Sequence, residues 1–405
     1  MTSVLLLEGI HQTAYDLLNQ AGLDVERQPA ALEGESLRQA IARTELLGIR
    51  SATHVTAESL SDPRELMAIG CFCIGISQVD LDKTASLGLP VFNAPFSNTR
   101  SVAELVIAEA VLLLRRIPEK TTLAHAGVWA KGAAGAVEAR GKTIAVIGYG
   151  NIGSQVGVLA EALGMRVVYY DVQPKLPLGV ARGAPSLADV VAEADVITLH
   201  VPATPATTNM VDAELLARCK RGAMLINASR GKVVDIDALK AALDSGQIGG
   251  AAIDVFPVEP GSNTQPFSSA LQNTTNVILT PHIGGSTQEA QQNIGIEVAA
   301  KLLNFLKTGA TTGAVNFPEI SPGAMVGCAR LLNVHGNAPG ALARLNTALA
   351  EDGANVCAQY LQTRGELGYV ITDLERVPSA ALLAKLRGEP GFIRTRVITP
   401  QDAAL

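Results

Sequence analysis

Three spaced glycines near the middle of the chain constrain its fold more than any other feature. Gly148-Tyr149-Gly150-Asn151-Ile152-Gly153 follows an apolar stretch, 142–147, and opens a helical one, 154–163, that stops at Gly164. A second apolar stretch, 165–170, then ends at Asp171. Strand, glycine turn, helix, strand and terminal acid are the parts of a βαβ unit that holds a dinucleotide. Such glycines let the backbone approach a pyrophosphate and aim a helix N-terminus at its charge. Spaced glycines also occur in ordinary tight turns, so the flanking strands and the acid carry the reading. Asp171 can accept hydrogen bonds from ribose hydroxyls and would repel a 2′-phosphate, so NAD is expected rather than NADP.

A chain of 405 residues exceeds one compact core, so two or three domains are expected. The net charge of −6 argues against nucleic acid as the main partner, and any anionic ligand must be met by local basic groups. The cysteines, Cys71, Cys73, Cys219, Cys328 and Cys357, are odd in number and fit neither a disulfide framework nor a zinc site. No metal is expected, and Cys71-Phe72-Cys73 reads as alternation across a buried strand. Met1-Thr2-Ser3 has no basic lead, so 4–7 reads as a first strand and not a signal peptide. The most apolar helix, 103–114, is cut by Glu104 and Glu109 and cannot span a bilayer. A cytoplasmic protein without a membrane partner is expected.

Residues 1–97 alternate apolar runs at 4–7, 46–49, 66–69 and 91–93 with helical stretches, and read as the first part of a substrate domain. A turn-rich break at 93–98 follows, and Ser101 with Glu104 reads as a capping box. The dinucleotide domain spans 98–284, with further strands at 196–199, 223–226, 250–254 and 277–279. Gly284-Gly285 reads as a hinge. Residues 285–324 return to the substrate domain through a long helix, 288–306, and a linker, 307–323. The tail, 325–405, shows strands at 330–334, 356–362, 369–374 and 393–398 with helices at 340–353 and 379–387. That βαββαβ order is ferredoxin-like. The fold class is therefore α/β: a Rossmann-type NAD domain inserted in a flavodoxin-like substrate domain, plus a ferredoxin-like tail.

Three polar residues lie just past strand ends in the second half of the dinucleotide domain: Arg230, Glu259 and His282. Strand C-termini of an open parallel sheet face the ligand crevice, so all three are expected at the nicotinamide end. Oxidising a 2-hydroxy acid needs a base for the hydroxyl proton, and a neutral histidine serves near pH 7. A paired carboxylate fixes its tautomer, and an arginine grips the substrate carboxylate with two parallel hydrogen bonds. Singly, Arg230 could cap a helix, Glu259 could sit in a solvated loop and His282 could be a satisfied core histidine. His200, at a strand end, reads as lining the cofactor crevice, whereas His11, His54 and His125 read as surface or packing residues.

Stretches 70–75, 92–105, 148–153, 225–235, 250–260 and 279–291 resemble the phosphoglycerate-oxidising branch of the D-2-hydroxyacid dehydrogenase family, in the form with a C-terminal ACT domain. The resemblance implies that Arg230, Glu259 and His282 are the catalytic residues. It implies Gly148, Gly150, Asn151, Ile152 and Gly153 at the pyrophosphate, Asp171 on the ribose and Asp254 at the nicotinamide. His200, Ala228, Gly284 and Gly285 complete the implied NAD site. Arg50-Ser51 and Asn98 are implied as substrate contacts. Trp129-Ala130-Lys131 resembles an arm that reaches a neighbouring subunit's substrate site, which implies a homo-oligomer; the family implies a homotetramer. In the tail, His335, Asn337 and Asn355 are implied to bind an L-serine effector between paired tails.

The implied activity is NAD-dependent oxidation of 3-phospho-D-glycerate to 3-phosphooxypyruvate, the first step of L-serine biosynthesis, inhibited by L-serine. Two alternatives stand beside it: a reductase of another 2-oxo acid (glyoxylate, hydroxypyruvate or 2-oxoglutarate), and an NAD-sensing, corepressor-like binding protein. The chain departs from relatives twice. Ala52 stands where they carry a further arginine, and Gly327-Cys328 where they carry two glycines before the tail.

Overall fold

The computed structural model describes residues 2–260 and 264–403. The chain divides into two compact units, Met1–Ser97 with Gln291–Leu405, and Asn98–Ala290. The first unit opens with β1 (Ser3–Leu6), β2 (Asp24–Arg27), β3 (Leu46–Ile49), β4 (Ala68–Cys71) and β5 (Val91–Asn93). They form a parallel sheet in the order β2-β1-β3-β4-β5, the doubly wound order of flavodoxin-like folds. Alternation along β1 divides the core. Val4 and Leu6 join Val298, Leu302 and Phe305 of helix Gln288–Thr308 on one face. Leu5 and Leu7 join Leu37 and Ile41 on the other. Sheets covered on both faces show near-continuous burial, as β3 and β4 do.

Several expectations in this unit need correction. β2 escapes the apolar pattern because Asp24, Glu26 and Arg27 are polar; as an edge strand it half-buries Val25 alone. The stretch 66–69 is displaced by two residues from β4, and only Cys71 of the Cys71-Phe72-Cys73 trio lies in it. Phe72 is buried beyond the strand end, and the Cys73 thiol donates to the Gly75 carbonyl. The stretch 307–323 is no free linker: Thr311, Phe317 and Ile320 are buried. The Thr311 hydroxyl donates to the Pro318 carbonyl at 2.6 Å.

The second unit holds β6 (Thr143–Ile147), β7 (Arg166–Tyr170), β8 (Arg182–Gly183), β9 (Val196–Leu199), β10 (Ala223–Asn227), β11 (Ile248–Ile253) and β12 (Val277–Leu279). The parallel order β12-β11-β10-β9-β6-β7-β8 reverses direction between β6 and β9. Such a switch point opens a crevice at the strand C-termini. The expected capping box is absent. Helix Thr99–Leu114 starts two residues before Ser101, with Asn98 as its N-cap residue. Ser101 instead donates to the Gly284 carbonyl at 2.8 Å, and Glu104 pairs with Arg100 at 2.6 Å. Further along this helix Glu109 is 2% exposed, and neither of its carboxylate oxygens has a hydrogen-bond partner. Burial, with a smaller contribution from Asp254, pushes its carboxyl up to about 8, so the neutral acid fills the position at neutral pH.

The remainder of the first unit is an antiparallel sheet: β13 (Ala329–Gly336), β14 (Val356–Arg364), β15 (Leu367–Leu374) and β16 (Phe392–Ile398), in the order β14-β15-β13-β16. Helices Ala341–Glu351 and Ala380–Gly388 cover one face through Leu345, Leu349, Leu382 and Leu386. This is the ferredoxin-like βαββαβ arrangement. On the other face Arg330 and Asp373 form a bidentate pair at 2.6 and 2.9 Å, with side chains 1% and 0% exposed. Arg330 also donates to the Thr308 and Gly323 carbonyls, and Asp373 accepts the Val326 N–H. The connecting segment is thereby tied to the sheet. Among the described residues, no helix is long and apolar enough to cross a membrane.

Removing one partner of such a buried pair strands a charge, which costs far more than exchanging both for apolar groups. Asp373→Ala is expected to destabilise the protein by about 3–5 kcal/mol in urea unfolding. Arg330→Met with Asp373→Leu is expected to cost less than that single change.

Candidate functional site

The glycine turn is built by close approach. Gly148 has φ +89°, and a Cβ there would overlap the His200 carbonyl. A Cβ on Gly153 would overlap the Gly148 carbonyl. A Cβ on Gly150 would meet nothing within 4 Å. Packing thus demands the first and third glycines, while the second faces open space ahead of helix Asn151–Ala162. No side chain caps that helix at Gly150. An open, uncapped helix N-terminus beside a glycine suits a pyrophosphate, so these residues fit a dinucleotide. Asn151 and Ile152 are its first two residues. Asp171, one residue past β7, accepts the N–H groups of Tyr149 and Gln173 at 2.9 Å each. It ties the turn to the strand tip and keeps lone pairs for a ribose. His200 lies beyond β9, its Nε2 3.0 Å from the Thr198 hydroxyl and its buried Nδ1 without a partner. Burial pushes it down to about 3, so it is a neutral ring.

The three candidate reacting groups stand past the next three strands. Beyond β10 come Asn227, half-buried Ala228 and Ser229, where Asn227 accepts the Ser229 hydroxyl at 2.8 Å and donates to the Arg230 carbonyl at 3.1 Å. The Arg230 turn lies so close to Phe256 that a Cβ on Gly231 would overlap the Phe256 carbonyl. Beyond β11, Asp254 is 1% exposed and accepts the Thr280 hydroxyl (2.7 Å) and the N–H groups of Ile283 (2.7 Å) and Gly284 (2.8 Å). Its carbonyl accepts the His282 N–H at 2.8 Å. Beyond β12, His282 sits at φ +54°, a left-handed conformation uncommon for a residue with a side chain. Non-glycine residues held there cluster at functional sites.

Glu259 uses both carboxylate oxygens. Oε1 accepts the Phe256 N–H at 3.0 Å, and Oε2 lies 2.8 Å from His282 Nδ1. A carboxylate only accepts, so Nδ1 donates and Nε2 keeps its lone pair. The hydrogen bond that His282 donates to Glu259 raises the imidazole above its ordinary value, against a smaller opposing effect of burial. Burial pushes the Glu259 carboxyl up, but hydrogen bonds from His282 and Phe256 outweigh it and hold the group below its ordinary value. Arg230 adds an attractive field at Glu259 and a repulsive one at His282. A tautomer-fixed imidazole beside a carboxylate and a guanidinium can accept a hydroxyl proton while an anion is held nearby.

Other expected residues fall as follows. Asn98 lies against Gly285, where a Cβ would overlap its amide, and its buried Oδ1 has no partner. Lys131 is exposed on the loop that carries Trp129, which is 87% exposed. Arg50 and Ser51 belong to the first unit, past β3. His335 is buried at the end of β13, with Nδ1 2.8 Å from the Gly336 carbonyl and Nε2 unpartnered. Asn337, just beyond, donates to the Gly365 carbonyl. Asn355 donates to Glu375 at the other end of β15. His335 pairs with Gly368 and Val356 with Leu374, a separation of about 20 Å at the rise of an antiparallel strand. The three effector candidates therefore do not converge within one chain. Sequence reasoning missed the anchoring role of Asp254 and the left-handed turn at His282, because neither leaves a pattern of residue types.

Two outcomes test the pair. His282→Ala is expected to lower kcat about a hundredfold or more, the usual worth of a positioned base. Glu259→Gln removes the group that raises His282, so the imidazole loses its proton at lower pH. The acidic limb of the oxidative kcat/KM profile is then expected to move down in pH, and the alkaline limb of the reverse reaction with it.

Residues 107–284 match the family described as D-isomer specific 2-hydroxyacid dehydrogenase, NAD binding domain. The chain is 53% identical to D-3-phosphoglycerate dehydrogenase of Escherichia coli over 397 residues, 97% of each chain. It is 45% identical to D-3-phosphoglycerate dehydrogenase of Dictyostelium discoideum, over 98% of this chain and 97% of that one. A solved D-lactate dehydrogenase from Aquifex aeolicus, complexed with NAD and lactic acid, matches at TM-score 0.65 and 29% identity, covering 75% of this chain and 95% of that one. By its glycine turn, its parallel sheet and this full-length similarity, the chain belongs to the D-2-hydroxyacid dehydrogenase family of NAD-dependent oxidoreductases.

Proposed function

We propose that the chain oxidises 3-phospho-D-glycerate to 3-phosphooxypyruvate with NAD, the first step of L-serine biosynthesis. The observation that carries this reading is the 2.8 Å pair of His282 with Glu259 at the sheet's C-terminal edge, in a chain 53% identical end to end to a D-3-phosphoglycerate dehydrogenase. The 2-hydroxyl donates a hydrogen bond to His282 Nε2 and passes its proton there, and Glu259 stabilises the resulting imidazolium. Arg230 holds the substrate carboxylate bidentately and polarises the forming carbonyl. NAD, when bound along the glycine turn, supplies the hydride acceptor. Arg50, Ser51 and Asn98 contribute substrate contacts, as does Lys131 from a neighbouring subunit of a homotetramer. The cell compartment is the cytoplasm.

The tail binds L-serine between paired copies and lowers activity. The 20 Å separation of Asn355 from His335 supports a site shared by two tails, since one tail cannot bring them together. Histidine and asparagine side chains suit the hydroxyl and ammonium of an amino acid.

NADH formation from 3-phosphoglycerate, with and without L-serine, tests the reading beside glyoxylate reduction. Turnover of 3-phosphoglycerate that L-serine suppresses is expected. Good glyoxylate reduction without phosphoglycerate turnover would replace it with the 2-oxo-acid reductase. Asn337→Ala is expected to weaken serine inhibition about tenfold, the worth of one lost hydrogen bond to a charged group, with turnover retained. Unchanged inhibition would move the effector site elsewhere.

A further inference from the structure

Like His282, a residue of the first unit holds a left-handed backbone. Glu8 stands just past β1 at φ +61°, followed by Gly9 at φ +59°. β1 and β3 are parallel neighbours, so the loops that leave them emerge at the same edge of the sheet. The loop after β3 carries Arg50 and Ser51. Glu8 Oε1 accepts the N–H groups of Arg50 and Thr53 at 2.9 Å each, and Oε2 accepts that of Ala52 at 2.9 Å. Three backbone donors converging on one carboxylate form an anion nest that the chain fills itself. The Arg50 carbonyl accepts Gln78 Nε2 at 2.8 Å, so the Arg50 backbone is fixed at both its donor and its acceptor. The Arg50 guanidinium Nη1 reaches back toward the Glu8 carbonyl at 3.5 Å.

We propose that Glu8 is a positioning residue for the substrate loop: its carboxylate, acting as an internal anion, fixes where the Arg50 guanidinium stands. The inference rests on the reading of Arg50 as a substrate contact. It follows from what the loop has left to offer. The N–H groups of residues 50, 52 and 53 are consumed by Glu8, so they cannot meet a phosphate. Ala52 brings no cation. What remains is one guanidinium and the exposed Ser51. With a single cation in the loop, its aim decides how well a phosphate-bearing substrate is held, and aim is what the three hydrogen bonds control. A glutamine at position 8 keeps the shape but turns at least one acceptor into a donor that faces N–H groups.

Glu8→Gln is the test. KM for 3-phosphoglycerate is expected to rise about tenfold, with kcat changed less than twofold and the Kd for NADH unaltered, the signature of lost uniform binding. Arg50→Ala is expected to raise KM as well, and the double variant to be no worse than Arg50→Ala alone, because Glu8 acts only through Arg50. Amide hydrogen exchange supplies a readout independent of substrate: the N–H groups of Arg50, Ala52 and Thr53 are expected to exchange faster in Glu8→Gln while protection elsewhere is kept. An unchanged KM, additive losses in the double variant, or unchanged protection at those three amides would overturn the proposal. A wild-type chain that fails to oxidise 3-phosphoglycerate would overturn the functional reading instead, and the exchange measurement would still decide whether Glu8 holds the loop.

Discussion

The geometry of the candidate site depends on one buried carboxylate. Asp254 collects the Thr280 hydroxyl and the Ile283 and Gly284 N–H groups on its side chain, and the His282 N–H on its carbonyl. Those bonds close the turn after β12 and hold His282 in a left-handed conformation that few residues adopt unaided. The turn in turn presents Nδ1 to Glu259, whose other oxygen is fixed by the Phe256 N–H. Without Asp254 the pair would have no fixed separation, and a base without fixed geometry loses most of its advantage.

The same region shows how partners, rather than residue type, set the behaviour of an acid. Glu259 has two donors and is held in its charged form. Glu109, buried in the adjoining helix, has none and stays protonated up to about pH 8. The two carboxylates are thus driven in opposite directions by hydrogen bonding and burial. Arg330 and Asp373 repeat the lesson in the antiparallel sheet, where complete satisfaction makes a fully buried ion pair tolerable.

Much of this was legible in the sequence because periodicity and glycine spacing report directly on backbone. The glycine turn, Asp171, the row Arg230, Glu259 and His282, and the βαββαβ tail all follow from local pattern. What escaped did so for physical reasons. β2 is an edge strand whose polar residues face solvent, so no apolar alternation marks it. Ser101 and Glu104 have the spacing of a capping box, yet the helix begins earlier and Ser101 is recruited by the Gly284 carbonyl, a partner 183 residues away. Glu109 looks like an ordinary interruption of an apolar helix until its burial is known. The nest around Glu8 joins residues more than 40 positions apart, and no local rule reaches that far.

The central claim is that His282 is a base whose proton affinity is set by Glu259. Titration of the labelled imidazole by NMR in the free protein measures it most directly. A midpoint above the ordinary histidine value, a neutral form protonated on Nδ1, and a downward shift of the midpoint in Glu259→Gln are expected. A midpoint at or below the ordinary value, or one indifferent to Glu259→Gln, would contradict it.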